Sequence, residues 1–129
     1  MSHILKQGIK GELSWQVVPE NTAEAYKSGN IPVFATPAMI ALMENTAHLS
    51  VQPLLDEGFV TVGTEVSIKH IKATPVGMVV TAKSELLEVQ GNKLQFSVEA
   101  YDEEARIGYG THTRHIIHAE SFLRKLEKK

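Results

Sequence analysis

FATPAMIALMENTAHL, residues 34–49, contains an unbroken apolar run from Ala38 to Met43 that ends on Glu44. Thr36 suits a helix N-cap, and Pro37 suits the first helical position, where its missing N–H has no partner to lose. Pro53 cannot continue a helix and bounds the far end. The stretch therefore predicts one helix over 36–50. Apolar residues cover most of its circumference, so it has to be buried on several sides rather than along a single stripe.

Strands are left to do the burying. GIKGELSWQVV, residues 8–18, contains a first strand, and Pro19-Glu20-Asn21-Thr22 opens a short polar helix that stops near Ser28-Gly29-Asn30. After Gly58 the period becomes two. In FVTVGTEVSIKH the residues Val60, Val62, Thr64, Val66, Ile68 and His70 share one face, and Thr61, Gly63, Glu65, Ser67 and Lys69 the other. Thr74-Pro75-Val76-Gly77 interrupts, MVVTAKSELLEV resumes, Gln90-Gly91-Asn92 turns, and KLQFSVEAY alternates Leu94, Phe96, Val98 and Ala100 against polar residues. RIGYGTHTRHIIH is the last long strand, followed by a short charged helix. Strands joined by short turns predict an antiparallel meander. The expected fold is α+β, a strongly curved antiparallel sheet wrapped around one long central helix.

The chain of 129 residues fits one domain over 1–129. Its net charge of -2 argues against nucleic acid as a partner. With no cysteine there is no disulfide, no thiol nucleophile and no thiolate-bound metal, which suits a reducing compartment. No stretch approaches the ~18 apolar residues of a membrane span, and the first fifteen residues lack a leader pattern, so a cytoplasmic protein is expected. His112 and His118 share a strand face from which His115 points away, so no catalytic metal is expected.

Glu44 is the anomaly. Its helical neighbours are Ile40, Ala41, Ala47 and His48, and a buried carboxylate costs several kcal/mol unless it is paired. Either it reaches solvent or a lysine, or it serves a ligand. Thr36, eight residues earlier, lies ~80° around the helix and ~12 Å along it, so one substrate could span both. Small Ala38 and Ala41 leave room. His70 continues the apolar face of its strand, as a core residue or a functional one. Gly63 interrupts a run of β-branched residues, where a glycine marks a bulge or a close approach by a ligand. His48 reads as a helix-surface residue.

Three separated stretches, VFATPAMIALMENTA, VGTEVSIKHIKATPVGM and IGYGTHTRHII, resemble the hotdog-fold thioesterases, and within them the group that includes fluoroacetyl-CoA thioesterase. The resemblance runs from about Pro32 to Glu120. It implies an acyl-CoA thioesterase with catalytic positions at Thr36, Glu44 and His70 and a water-positioning glycine at Gly63. The apolar helix face argues for a small or medium acyl chain, and no cofactor is expected. The resemblance also implies a homodimer whose sites lie at the subunit interface, with a tetramer as the larger assembly to expect. Lys69, Lys72 and Arg114 are then candidates for the phosphates of CoA. A non-catalytic binder of acyl-CoA on the same fold is the alternative, since fold does not fix function. A CoA-dependent hydratase would need a different acid–base set.

Thioester hydrolysis needs a nucleophile, a base, and donors for the carbonyl oxygen as it gains charge. Histidine is suited to general-base work near neutral pH. A water attack with His70 as base, Glu44 as its partner and Thr36 as anchor or relay is favoured over direct attack by Glu44 or Thr36. The N–H groups at the helix start are the expected oxyanion site.

Overall fold

The computed structural model describes residues 5–127. In chain order the elements are β1 (Lys10–Gln16), a 3-10 turn (Pro19–Asn21), α1 (Ala23–Tyr26), α2 (Thr36–Val51), a second 3-10 turn (Gln52–Leu54), β2 (Phe59–His70), β3 (Val79–Gln90), β4 (Lys93–Tyr101), β5 (Arg106–His118) and α3 (Ala119–Glu127). The five strands make one antiparallel sheet ordered β1-β3-β4-β5-β2, packed against α2. The expected sheet around a central helix is present.

Two of the connections differ from expectation. The strands β3, β4 and β5 form a meander, but β2 lies beside β5 at the far edge rather than beside β3. Alternation reports which face of a strand is buried, not which strand lies next to it. The segment from Ile71 to Met78 makes the crossing. On the way Thr74 accepts the N–H of Phe34 and Met78 that of Val17. The polar helix expected after Pro19 is split into a 3-10 turn and a single α-turn, which ends where Lys27 takes φ 60.

The core follows from the sequence. Met39, Leu42, Met43, Ala47 and Val51 of α2 are closed off from solvent against Val80, Ala82 and Leu86 of β3 and Leu94, Phe96, Val98 and Ala100 of β4. Each large side chain so buried contributes roughly 1.5–3 kcal/mol. The opposite side of α2, made of Ile40, Ala41, Glu44, Asn45 and His48, is only half-buried. Within one chain the helix is thus covered on one side, not on several.

The alternation expected for β2 breaks at a bulge between Gly63 and Glu65, where Thr64 is the extra residue. Gly63 pairs with Arg114 and Val66 with His112, and paired residues share a face. Thr61 and Gly63 therefore look the same way as Val66, Ile68 and His70. Strict parity had put Gly63 and His70 on opposite faces.

Candidate active site

Thr36 does not cap α2. Ala35 occupies the cap position with extended backbone, and Thr36 is the first helical residue. Its Oγ1 lies 2.7 Å from Nδ1 of His70, at the end of β2. The crossover holds the two together, because Phe34 just before α2 bonds to Thr74 just after β2. Nε2 of His70 is buried and has no protein partner. Burial lowers the pKa of His70, and the backbone carbonyl of Lys72 opposes part of that shift. Thr36 and His70 face a cleft of about 450 Å³ whose other walls include Ile31, Val33, Phe34 and Ile71. Pro37 carries no N–H, so Thr36 and Ala38 supply the orphan donors of the helix start.

Glu44 lies elsewhere, two helical turns on. It lines a second cleft, of about 400 Å³, with Asn45, His48, Thr61, Val62, Gly63 and Arg114. Gly63 is what lets the helix carboxylate approach the strand. A methyl group there would stand 2.9 Å from Oε2 of Glu44, 3.1 Å from Cε1 of His112 and 3.2 Å from Nη1 of Arg114. Arg114 is 8% exposed, and its donors go to Thr61 and His112 rather than to solvent. Burial lowers its pKa and the charge of Glu44 raises it. Its place is beside Glu44, not on an open path for phosphates. Gly108 and Gly110, which share its face, are filled without a ligand: a methyl at Gly108 would meet Met39, and one at Gly110 the backbone of β2.

The other candidates separate. Lys69 pairs with Tyr109, one residue from His70, so it points to the outer face of the sheet. There it borders a shallow groove with Ser67, Arg106 and Thr111. Lys72 is tied to Asp102 at 2.6 Å and to Glu104 at 3.3 Å.

Single-chain geometry therefore joins Thr36 to His70, and Glu44 to Gly63 and Arg114, in two clefts. Sequence reasoning missed His48, whose buried Nδ1 has no partner and whose pKa is lowered by burial and by Arg114. The signal was its spacing, four residues after Glu44 on the same helix face. It also missed His112, discounted as a metal ligand but buried behind the second cleft, against Arg114 and beside Gly63.

A family profile described as FlK, fluoroacetyl-CoA-specific thioesterase, matches residues 17–120. The fluoroacetyl-CoA thioesterase of Streptantibioticus cattleyicolor is 41% identical over 97 residues, which cover 75% of this chain and 70% of that protein. A solved structure of a mutant FlK in complex with fluoroacetate and CoA matches with a TM-score of 0.86 at 34% identity, over 92% of this chain and 99% of that one. A hot-dog-like protein from Thermanaerovibrio acidaminovorans shares the fold alone, with a TM-score of 0.86 at 20% identity over 95% and 90% of the two chains.

Proposed function

The chain belongs to the fluoroacetyl-CoA-specific thioesterase family, and on that premise we propose that it hydrolyses a small or medium acyl-CoA thioester to the free acid and CoA. The observation that carries the reading is the 2.7 Å contact between Thr36 Oγ1 and His70 Nδ1, which leaves Nε2 unpartnered at a cleft. If Nδ1–H donates to Thr36, Nε2 presents the lone pair a general base needs. Water attacks the thioester carbonyl carbon as Nε2 takes its proton. The carbonyl oxygen, now an anion, is met by the N–H groups of Thr36 and Ala38 and by the positive end of the α2 dipole. Collapse breaks the C–S bond, and the CoA thiolate takes the proton back from His70.

Glu44 enters through a second subunit in this reading. In a homodimer, or a tetramer made of two such dimers, Thr36 and His70 of one chain meet Glu44 of the other at the interface. The half-buried face of α2 that carries Glu44, and the separation of the two clefts within one chain, support this. Glu44 then stabilises the imidazolium that forms during attack, and Gly63 gives the carboxylate and a water room to approach. Lys69 and Arg106 offer cations on the outer face for the phosphates of CoA, while Arg114 attends to Glu44. The whole chain acts as one domain. No helix among the described residues is long and apolar enough to cross a membrane, and the same reading places the enzyme in the cytoplasm.

Free-thiol release from acetyl-, butyryl-, octanoyl- and palmitoyl-CoA tests this, with the unaltered protein, Glu44→Gln and His70→Ala compared. Release by the unaltered protein and a loss of at least ~100-fold in both folded variants is expected. Binding of acyl-CoA without release would leave a non-catalytic binder. Turnover that survives both substitutions would dismiss the catalytic set.

A further inference from the structure

The surroundings of Arg114 are built in more detail than a counter-ion for Glu44 requires. Nε donates to Oγ1 of Thr61 at 2.7 Å and Nη2 to the carbonyl of Thr61 at 2.9 Å. Nη1 faces Nε2 of His112 at 3.2 Å. A guanidinium only donates, so Nε2 of His112 must accept. The proton of that ring is then on Nδ1, which donates to the carbonyl of Glu65 at 2.9 Å. The tautomer is fixed by its two partners, and it is the neutral one. Burial lowers the pKa of His112, as does the charge of Arg114.

These bonds straddle the bulge in β2. Thr61 precedes it and Glu65 follows it. His112, 1% exposed and stacked against Phe96 with ring centres 6.2 Å apart, bridges from the far side of the bulge back to Arg114. The guanidinium is held on both sides, and its Nη1 corner is set beside the position of Gly63, where Oε2 of Glu44 also arrives.

We propose that His112 is a positioning residue for thioester hydrolysis: as a neutral imidazole it fixes the Nη1 edge of Arg114 against the carboxylate of Glu44, and so sets the direction in which Glu44 meets the reacting groups. This rests on Glu44 belonging to the catalytic set. The competing view is that His112 only fills space beside Phe96.

Two substitutions separate the views, because each keeps one end of the ring's bonding. His112→Asn keeps a donor near Nδ1 for the carbonyl of Glu65 and has no atom that reaches Arg114. His112→Gln places an amide oxygen near Nε2, where it can accept from Nη1. Steady-state kinetics on the acyl-CoA turned over fastest should show kcat down about 10- to 100-fold with KM little changed in His112→Asn, the range seen when a supporting partner is removed from a site. His112→Gln should recover most of kcat. Equal kcat in the two variants, or losses that track their thermal midpoints, would overturn the proposal. Should the Asn variant not fold, His112→Phe, which fills the space beside Phe96 and offers Nη1 of Arg114 no acceptor, takes its place: a lowered kcat supports the positioning role and an unchanged one refutes it. Glu44→Gln is measured alongside. If it keeps full kcat, the catalytic assignment of Glu44 falls and the role of His112 with it. If it is inactive while the two His112 variants match, only the role of His112 falls.

Discussion

Thr36 decides which nitrogen of His70 is free to act. Its hydroxyl can accept from Nδ1–H, which leaves Nε2, buried and unpartnered, as the base in the proposed mechanism. Burial favours the neutral ring, more than the carbonyl of Lys72 favours the charged one, so the pKa lies below 6.5. A base works unprotonated, so kcat/KM should rise with pH as His70 loses its proton; burial moves the midpoint down and the carboxylate of Glu44 from the second subunit moves it up, so Glu44→Gln should lower the midpoint of whatever activity remains. The sign for stability is the same. The unfolded chain takes up the proton more readily than the folded one, so the contribution of His70 is present above the unfolded pKa and is lost as pH falls through the folded one. A pH–rate profile from about pH 5 to 8 checks this. A flat profile, or a midpoint that Glu44→Gln leaves in place, would show that His70 is not the base or that Glu44 does not partner it.

Among the elements, the crossover from β2 to β3 does the assembling, and Asp102 pins it. The side chain of Asp102 is fully enclosed and accepts from Lys72 Nζ at 2.6 Å, Thr74 Oγ1 at 2.9 Å, and the N–H groups of Glu104 and Ala105. Burial alone would raise its pKa. The bonds to Lys72, to the two N–H groups and to Thr74 outweigh that and hold it at about 2. Asp102→Ala should cost roughly 2–4 kcal/mol by denaturant unfolding at neutral pH. The difference from the unaltered protein should be full above 3.8 and vanish as pH falls through about 2. A loss independent of pH would mean that packing, not the charge, is responsible.

The same elements mark how far the sequence could be read. Helix α2 and strands β2, β4 and β5 were legible to within a residue or two, because Pro53, Gly91 and the alternation of Leu94 to Ala100 are local signals. Neighbour order was not legible, since nothing local in β2 names β5 as its partner. Nor was the bulge, which adds one residue and moves Gly63 onto the face of His70. Of the candidate site, Thr36 beside His70 followed from a resemblance rather than from spacing. The roles of His112 and Arg114 depend on a pocket formed between β2 and β5 that exists only once those strands pair.

At the scale of the whole molecule, one chain leaves unfinished surfaces. The edge strand β2 has no partner on its outer side among the described residues. Val66 and Ile71, along and just beyond it, are 41% and 52% exposed, and the Glu44 face of α2 is half covered. A second copy would cover all three, and light scattering should then give twice the chain mass of 14.2 kDa. Shared sites make a sharper demand. Glu44→Gln and His70→Ala are each inactive alone if every site draws Glu44 from one subunit and His70 from the other. In a mixed dimer one site collects both lesions and the other collects none. Refolding the two variants together at equal amounts makes half the dimers mixed, so about a quarter of the wild-type sites should return. If each site were built within one chain, every site in the mixture would carry one lesion and no activity would come back, whatever the mass of the particle.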